Sequence, residues 1–216
     1  MEAPPGLYVT WDASEVDDSA FLRYNVYRRT PDESEWTLIK EITNKGVNFY
    51  QDYLVKSGQS YVYSITQTAN IGGEEVESEH PTSVSGSVTY LDTFIHAVQR
   101  PDIYTQVFTE ERTIQIMQET RFLQSWSRIK PVAHVGHSEG RQIILQTRLG
   151  WDIYEEIWNA TVDVFSSQRT RGSVLCLRGE DGSLFYCQMT NPMRSDQKMI
   201  AAPILTFQEV HWIEGV

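Results

Sequence analysis

The pentapeptide Gly-His-Ser-Glu-Gly at residues 136–140 matches G-x-S-x-G, a pattern that exposes a nucleophilic serine at a sharp strand-to-helix turn. In such a site Ser138 would be the nucleophile and His211 the general base, with an acidic residue between them in the chain. The acidic candidates are Asp152, Asp163, Asp181 and Asp196. The segment RQIILQTRL that follows the motif alternates like a strand, not like a helix. We therefore predict that 136–140 connects two strands and that the chain has no catalytic residue.

A second group of candidate residues has the composition of a metal site. His134 and His137 are three residues apart, and Glu139 follows them closely. Two ligands at this spacing come together only on a helical turn or a shaped loop, and a structural zinc site needs a second pair of ligands. No such pair stands at a suitable distance along the chain. We predict surface histidines here, and neither a bound metal nor a cofactor.

The two cysteines, Cys176 and Cys187, lie within VLCLRGEDGSLFYCQM, which is predicted to be a β-hairpin around Asp181-Gly182. If Asp181 and Gly182 form a two-residue turn, the cysteines stand directly opposite each other with Cα atoms about 5.5 Å apart. A disulfide is then geometrically possible. We predict buried, reduced thiols instead, because free cysteine behaves as a small apolar residue in a sheet.

Composition and charge limit the classes of function. The 216 residues are 40% hydrophobic and 22% charged, which is typical of a globular protein. The formal net charge is −11, from 29 acidic and 18 basic residues, and about −8 of it falls within residues 1–90. Nucleic-acid readers and proteins that bind anionic membranes need a basic surface, so we expect neither specific nucleic-acid readout nor membrane insertion.

Residues 1–90 have the pattern of short strands separated by turns. Alternating apolar residues occur in LYVTW, YNVY and SYVYSI, and the residues Trp36, Leu38 and Ile42 are predicted to share one face of a further strand. Turn residues recur every 8–12 positions or so, which favours a β-sandwich.

The segments LYVTWDAS, YNVYRR, EWTLIKEI and SGQSYVYSITQ, in this order, resemble a fibronectin type III domain. The resemblance implies that Trp11 is the core tryptophan and that Tyr61 forms the tyrosine corner. It also implies a first strand before LYVTW, where only residues 1–6 are available and two of them are prolines. We therefore expect an uncovered sheet edge beside LYVTW, for which three covers are open: a stub formed by residues 2–6, a strand added by a partner, or the C-terminal domain packed over the edge. We favour the stub and the partner's strand together.

Residues 91–216 are predicted to form a second, β-rich (α+β) domain with one helix. RTIQIMQ and RQIILQTRL alternate like strands, and the apolar residues between about 152 and 168 follow a helical period. The last predicted strand is PILTFQEVHWI, whose apolar face changes sides after Phe207 and so indicates a bulge near Glu209. The whole chain is accordingly expected to be mainly β.

The second part also resembles a known family through RIKPVAHVGHSEGRQIILQTRL, SVLCLRGEDGSLFYCQMTN and PILTFQEVHWIE. These segments are similar to the C-terminal domain of minor tail proteins from long-tailed actinobacterial phages, in which a fibronectin-like module commonly precedes that domain. The resemblance implies a structural, non-enzymatic virion protein near the distal end of the tail, assembled in the host cytoplasm.

The partners that this resemblance implies are other tail proteins and further copies of the same chain in a ring or hub. An alternative is a binding module, in which the fibronectin-like domain grips a host-surface glycan or protein. A serine hydrolase that uses Ser138 is the most distant alternative.

Overall fold

The computed structural model describes residues 5–81, 83–107, 109–123, 132–147, 173–190 and 204–213. Within these ranges the chain forms fourteen strands and no helix, so the prediction of a mainly β protein is confirmed. The helix predicted between about 152 and 168 lies outside the described residues, as do Asp152, Asp163 and Asp196.

The chain divides into two compact units that do not follow chain order completely. The first unit takes in the residues up to Leu91, together with Arg178–Leu184 and the segment from Trp212 onward. The second unit consists of Asp92–Leu177 and Phe185–His211. The division into domains 1–90 and 91–216 stays a prediction, and the structure adds that a short loop from the second half packs within the first unit.

Seven strands of the first unit form two antiparallel sheets. They are β1 (Leu7–Thr10), β2 (Phe21–Arg29), β3 (Thr37–Ile42), β4 (Phe49–Asp52), β5 (Ser60–Ile71), β6 (Glu74–Glu77) and β7 (Val84–Ser87). One sheet contains β1 and β4 alone, and the other has the order β3-β2-β5-β6. Strand β7 pairs with the first residues of β5, and β6 pairs with its last residues. Both therefore lie on the side of β5 opposite β2.

The core of the first unit is built from alternate residues of these strands, as the sequence pattern predicts. Its buried members are Val9, Val26, Ile39, Val55, Tyr61 and Tyr63. Trp11 packs against this cluster and is only partly buried, with its ring 5.4 Å from that of Tyr24.

The predicted shared face of Trp36, Leu38 and Ile42 is wrong, and a β-bulge is the reason. Val26 pairs with Lys40 and Tyr27 with Leu38, so Ile39 is an extra residue in β3. Because the extra residue shifts the alternation by one, Ile39 and Ile42 face the core instead. Trp36 then belongs to the outer surface of the sheet.

The second unit contains one seven-stranded sheet. Its strands are β8 (Thr93–Ala97), β9 (Arg100–Val107), β10 (Thr109–Leu123), β11 (Val132–Thr147), β12 (Leu175–Arg178), β13 (Leu184–Met189) and β14 (Ile204–Glu209). Their order is β10-β11-β14-β13-β12-β8-β9. Strand β8 is buried at every position, so side chains on both of its faces are covered.

The central strands of this sheet supply the second core. Ile143 and Leu145 of β11 pack with Leu205 and Phe207 of β14, and all four are at most 1% exposed. The predicted bulge near Glu209 is wrong, because β13 and β14 pair in regular register from Met189 and Phe207 to Cys187 and Glu209. The apolar face of β14 ends after Phe207 because the next residue on the core side is Glu209, the last residue of the strand. The carboxylate oxygen of Glu209 lies 3.7 Å from Nε of Arg141.

Candidate functional site

The G-x-S-x-G motif lies inside strand β11, so the predicted connection between strands at 136–140 is wrong. Met117 of β10 pairs with Gly140 and Gln118 with Glu139, after which the register shifts and Thr120 pairs with Val135. Residues 136–138, including Ser138, therefore lie opposite one residue of β10 in an irregularity of the ladder. A serine nucleophile of this motif needs a strand that turns sharply into a helix, and β11 instead continues as a strand.

The described backbone places the histidine candidates along β11 and after β14. His134 pairs with Arg121 in the ladder, and His137 belongs to the irregularity beside Ser138. His211 follows β14 and is exposed. Within the described ranges no group of three or more His, Cys, Asp or Glu side chains is placed to hold a metal ion.

The loop between β12 and β13 is one residue longer than the sequence predicts. The amide of Gly179 donates to the carbonyl of Ser183 (2.9 Å), and the amide of Gly182 donates to the carbonyl of Gly179 (3.1 Å). Gly182 has a φ of +80°, in the left-handed region. Together these features define a three-residue loop, 180–182, in which glycine closes the turn.

This loop length changes the relationship between the two cysteines. Gly179 pairs with Ser183, and each step back along β12 corresponds to one step forward along β13. Cys187 therefore lies opposite Leu175, and Cys176 lies one residue further along β12. Cys187 shares the core with Leu175, whereas successive residues of a strand face opposite sides. The directly opposed pair predicted from a two-residue turn is therefore wrong. Both cysteines are buried and no disulfide joins them, as predicted for reduced thiols, and burial raises the pKa of the Cys187 thiol.

The same loop is anchored in the first unit by a buried arginine. The side chain of Arg178 is completely buried, and its Nη1 donates a 2.7 Å hydrogen bond to the carbonyl oxygen of Pro5. Its guanidinium lies 5.3 Å from the centre of the Tyr90 ring. Tyr90 is held in turn by its hydroxyl, which donates to the carbonyl of Val55 (3.1 Å). Arg178 is the last residue of β12, so its buried guanidinium lies at the end of a hairpin, a position that is ordinarily exposed to solvent.

A second buried charge organises the core of the first unit. The carboxylate of Asp52 is 1% exposed on its side chain and accepts hydrogen bonds from Arg28 Nη1 (2.8 Å) and the Tyr63 hydroxyl (2.8 Å). It also accepts a hydrogen bond from the amide of Leu54 (2.9 Å). Burial and the neighbouring carboxylate raise the pKa of Tyr63 far above its ordinary value. Because every partner comes from the same unit, this network is suited to holding the strands together.

An aromatic cluster lies on the outer surface of the larger sheet of the first unit. The ring of His80 stacks on that of Trp36 with centres 5.1 Å apart, and it meets the Tyr27 ring edge-on at 4.8 Å. The guanidinium of Arg29 lies 4.8 Å from the centre of the Trp36 ring. The Tyr27 hydroxyl donates to Glu77 Oε1 (2.9 Å), so a carboxylate borders the aromatic rings.

The ionisation of this cluster follows from its hydrogen bonds. Burial and the hydrogen bond to Glu77 raise the pKa of Tyr27 to about 12. Burial alone would raise the pKa of Glu77, but hydrogen bonds from Thr66, Tyr27 and Asn25 hold it below its ordinary value. The cluster therefore combines aromatic surface, a carboxylate that stays charged and a cation.

One edge of the smaller sheet of the first unit is formed by β1, which has no second neighbour among the described strands. The backbone amide of Trp11 donates a hydrogen bond to the carbonyl of Asn48 (3.1 Å). Because hydrogen-bonded and non-hydrogen-bonded pairs alternate along antiparallel strands, this bond shows which residues of β1 bond to β4. It follows that the N–H and C=O groups of Tyr8 and Thr10 point away from β4. In the described part of the chain β1 pairs with β4 alone. We call the outward backbone of Tyr8 and Thr10, with the exposed Tyr8 and Phe49 side chains, the β1 edge.

Sequence reasoning found the β1 edge but missed the other groups. The alternation of LYVTW predicts that Tyr8 faces outward, and its side chain is 60% exposed and stacks on Phe49 at 5.5 Å. Trp36 was grouped with Ile42 because the bulge at Ile39, which puts the two on opposite faces, has no local signature. Arg178 could not be recognised, since its partner Pro5 is 173 residues away in the chain.

Comparisons with known proteins give no match. No family model matches the sequence, and no curated protein or solved structure matches the chain. Among the residues that the structure describes, no helix is long and apolar enough to cross a membrane.

Proposed function

We propose that the protein is a minor tail protein, a structural component near the distal end of a phage tail that acts in tail assembly. The observation that carries this proposal is the position of the segments that resemble the family. RQIILQT belongs to β11, LCLRGEDGSLFYCQM forms β12 and β13 with their loop, and ILTFQE forms β14. These strands are neighbours in one sheet, so the resemblance extends over a contiguous part of the fold.

The first unit is, in this proposal, a fibronectin type III-like module. Two facing sheets with the strand order described above are compatible with that fold. The hydroxyl of Tyr61 accepts a hydrogen bond from the amide of Lys56 (3.1 Å), five residues upstream, as the tyrosine of a tyrosine corner bonds to the backbone before it.

Particles of the phage that encodes the chain provide the test. Antibodies raised against the purified protein should label the distal ends of tails in electron micrographs, and mass spectrometry of purified particles should detect the chain. Mixing the purified protein with other tail proteins should give larger assemblies of defined mass. Labelling confined to the capsid, or absence of the chain from purified particles, would contradict the proposal.

A second candidate function is recognition of the host surface by the first unit. The aromatic cluster around Trp36 and His80 favours it, because aromatic rings beside a carboxylate and an arginine are suited to polar, ring-shaped ligands such as sugars. Binding of the full chain to host cells should fall in Trp36→Ala and stay unchanged in Ile71→Ala, because Ile71 is exposed at the opposite end of the sheet from Trp36. Equal binding by both variants would exclude the cluster as the receptor site.

A further inference from the structure

We propose that β1 pairs with β1 of a second copy of this chain, antiparallel and around a twofold axis at Val9. This inference deepens the assembly role proposed above by naming a partner and a contact surface. It depends on the geometry of β1 and not on the identity of the particle.

The direction of the backbone groups makes the strand complementary to itself. Only Tyr8 and Thr10 direct their N–H and C=O groups outward, and they are two residues apart with Val9 between them. In an antiparallel pair centred on Val9, Tyr8 of each copy lies opposite Thr10 of the other. Each of these two rungs exchanges a pair of hydrogen bonds, so four backbone hydrogen bonds form without any change in β1.

The distribution of charge favours a second copy as the partner. Open edges are ordinarily protected by charged side chains, as β3 is by Lys40 and Glu41 and β6 by its glutamates. Strand β1, Leu-Tyr-Val-Thr, has no charge. The nearest carboxylate along the chain, Asp12, falls opposite Gly6 of the other copy in this register, and Asp52, which pairs across from Leu7, is buried and bound to Arg28. The two Asp12 residues are then about 20 Å apart along the strands, well beyond the screening length of about 8 Å at physiological ionic strength.

The apolar surface beside β1 supports the same arrangement. Tyr8 and Phe49 are 60% and 47% exposed and stack on each other across β1 and β4. A sheet of only two strands is marginal by itself, and pairing through β1 would extend it to four strands in the order β4-β1-β1-β4. The stacked pairs of the two copies then lie on one face of a continuous sheet.

The register is tested by disulfide trapping between two single variants of the full chain, Tyr8→Cys and Thr10→Cys. Because residue 8 faces residue 10 at a Cα separation of about 5.5 Å, a disulfide should form readily only when the two variants are mixed. Peptide mapping distinguishes this bond from any involving the buried Cys176 and Cys187. Equal cross-linking within either variant alone, or no cross-linking in the mixture, would overturn the register.

The interface itself is tested with a charge placed at the edge. In sedimentation equilibrium, Tyr8→Lys should raise the dissociation constant of the dimer by about tenfold or more, because it puts like charges close together across the interface. Ile71→Lys is the matched control, since Ile71 is 63% exposed and lies away from β1. The amides of Tyr8 and Thr10 should become protected from hydrogen exchange as the dimer forms. A wild-type protein that stays monomeric, or protection of both amides in the monomer, would overturn the proposal, whether or not the chain is found in phage tails.

Discussion

Arg178 donates a 2.7 Å hydrogen bond to the carbonyl oxygen of Pro5, although the two residues are 173 positions apart in the chain. The guanidinium is completely buried and also faces the ring of Tyr90. A buried cation is costly unless it is well coordinated, so this contact fixes where the loop 178–184 must lie. The first unit is therefore completed by residues from late in the sequence.

Replacing Arg178 by methionine should destabilise the protein. Methionine keeps much of the side-chain volume but removes the donor to the half-buried carbonyl of Pro5, and a hydrogen bond from a charged group contributes about 1.5–3 kcal/mol. The free energy of unfolding, measured by chemical denaturation, should fall by that order. Arg100→Met is the control, because Arg100 is half exposed and pairs with Asp102 at the surface. Equal losses in both variants would show that the Pro5 contact contributes nothing.

Gly182→Ala should also destabilise the loop, more than Gly72→Ala destabilises its own turn. Both glycines have positive φ, +80° and +67°, so both substitutions impose backbone strain of about 1–2 kcal/mol. A Cβ on Gly182 would in addition lie 3.0 Å from the carbonyl oxygen of Ser57, whereas a Cβ on Gly72 meets open space. Thermal unfolding compares the two. A larger effect at Gly72 would contradict the packing of the loop against Ser57.

Local pattern predicted the strands well because burial alternates along most of them. Val9, Val26, Ile143 and Leu145 all occupy the buried positions that alternation indicates. The failures arise where one residue is inserted or a turn is one residue longer. The bulge at Ile39 puts Trp36 and Ile42 on opposite faces of the sheet. The three-residue loop closed by Gly182 places Cys176 one rung away from the residue opposite Cys187.

The candidate sites were less predictable than the strands for a different reason. A motif such as G-x-S-x-G is short, and its meaning depends on whether a helix or a strand contains it. The strand β11 through Ser138 is defined by pairing with β10, which depends on residues about 20 positions earlier in the chain. The contacts of Arg178 are more distant still. Long-range packing of this kind leaves no trace in local periodicity.

The two cysteines should be unreactive in the native protein. Both are buried, and burial raises the pKa of Cys187, which disfavours the reactive thiolate. Alkylation followed by mass spectrometry should therefore modify neither thiol before denaturation and both after it. Mild oxidation of the native protein should give no Cys176–Cys187 disulfide, since the two lie on different rungs and opposite faces. Rapid formation of that disulfide would contradict the three-residue loop.

Asp52→Asn should be among the most destabilising single substitutions in the first unit. It removes the charge that compensates Arg28 in a buried pair, and breaking such a pair typically costs about 3–5 kcal/mol. Asp18→Asn provides the control, because the ion pair of Asp18 with Lys45 is solvent-exposed and should leave the free energy of unfolding nearly unchanged. A small effect of Asp52→Asn would show that the network with Tyr63 is dispensable.

The stability of the protein should fall in alkaline solution as tyrosines ionise. The pKa of Tyr27 is about 12 in the folded state against an ordinary value of 10.0, so the folded chain holds this proton more tightly than the unfolded chain. The stabilisation is complete below about pH 10 and is lost as the pH rises toward 12. Burial also raises the pKa of Tyr63, so ionisation of this tyrosine likewise lowers the stability of the folded chain in alkaline solution.

The free energy of unfolding should therefore decrease over that pH interval, and Tyr27→Phe should decrease less because it has no proton to lose at that position. Absorbance of the phenolate should show a late-titrating tyrosine that is missing from Tyr27→Phe. Glu77→Gln should bring that titration to lower pH, since the Glu77 carboxylate is one cause of the raised pKa. An unchanged titration in Glu77→Gln would contradict the hydrogen bond between Tyr27 and Glu77.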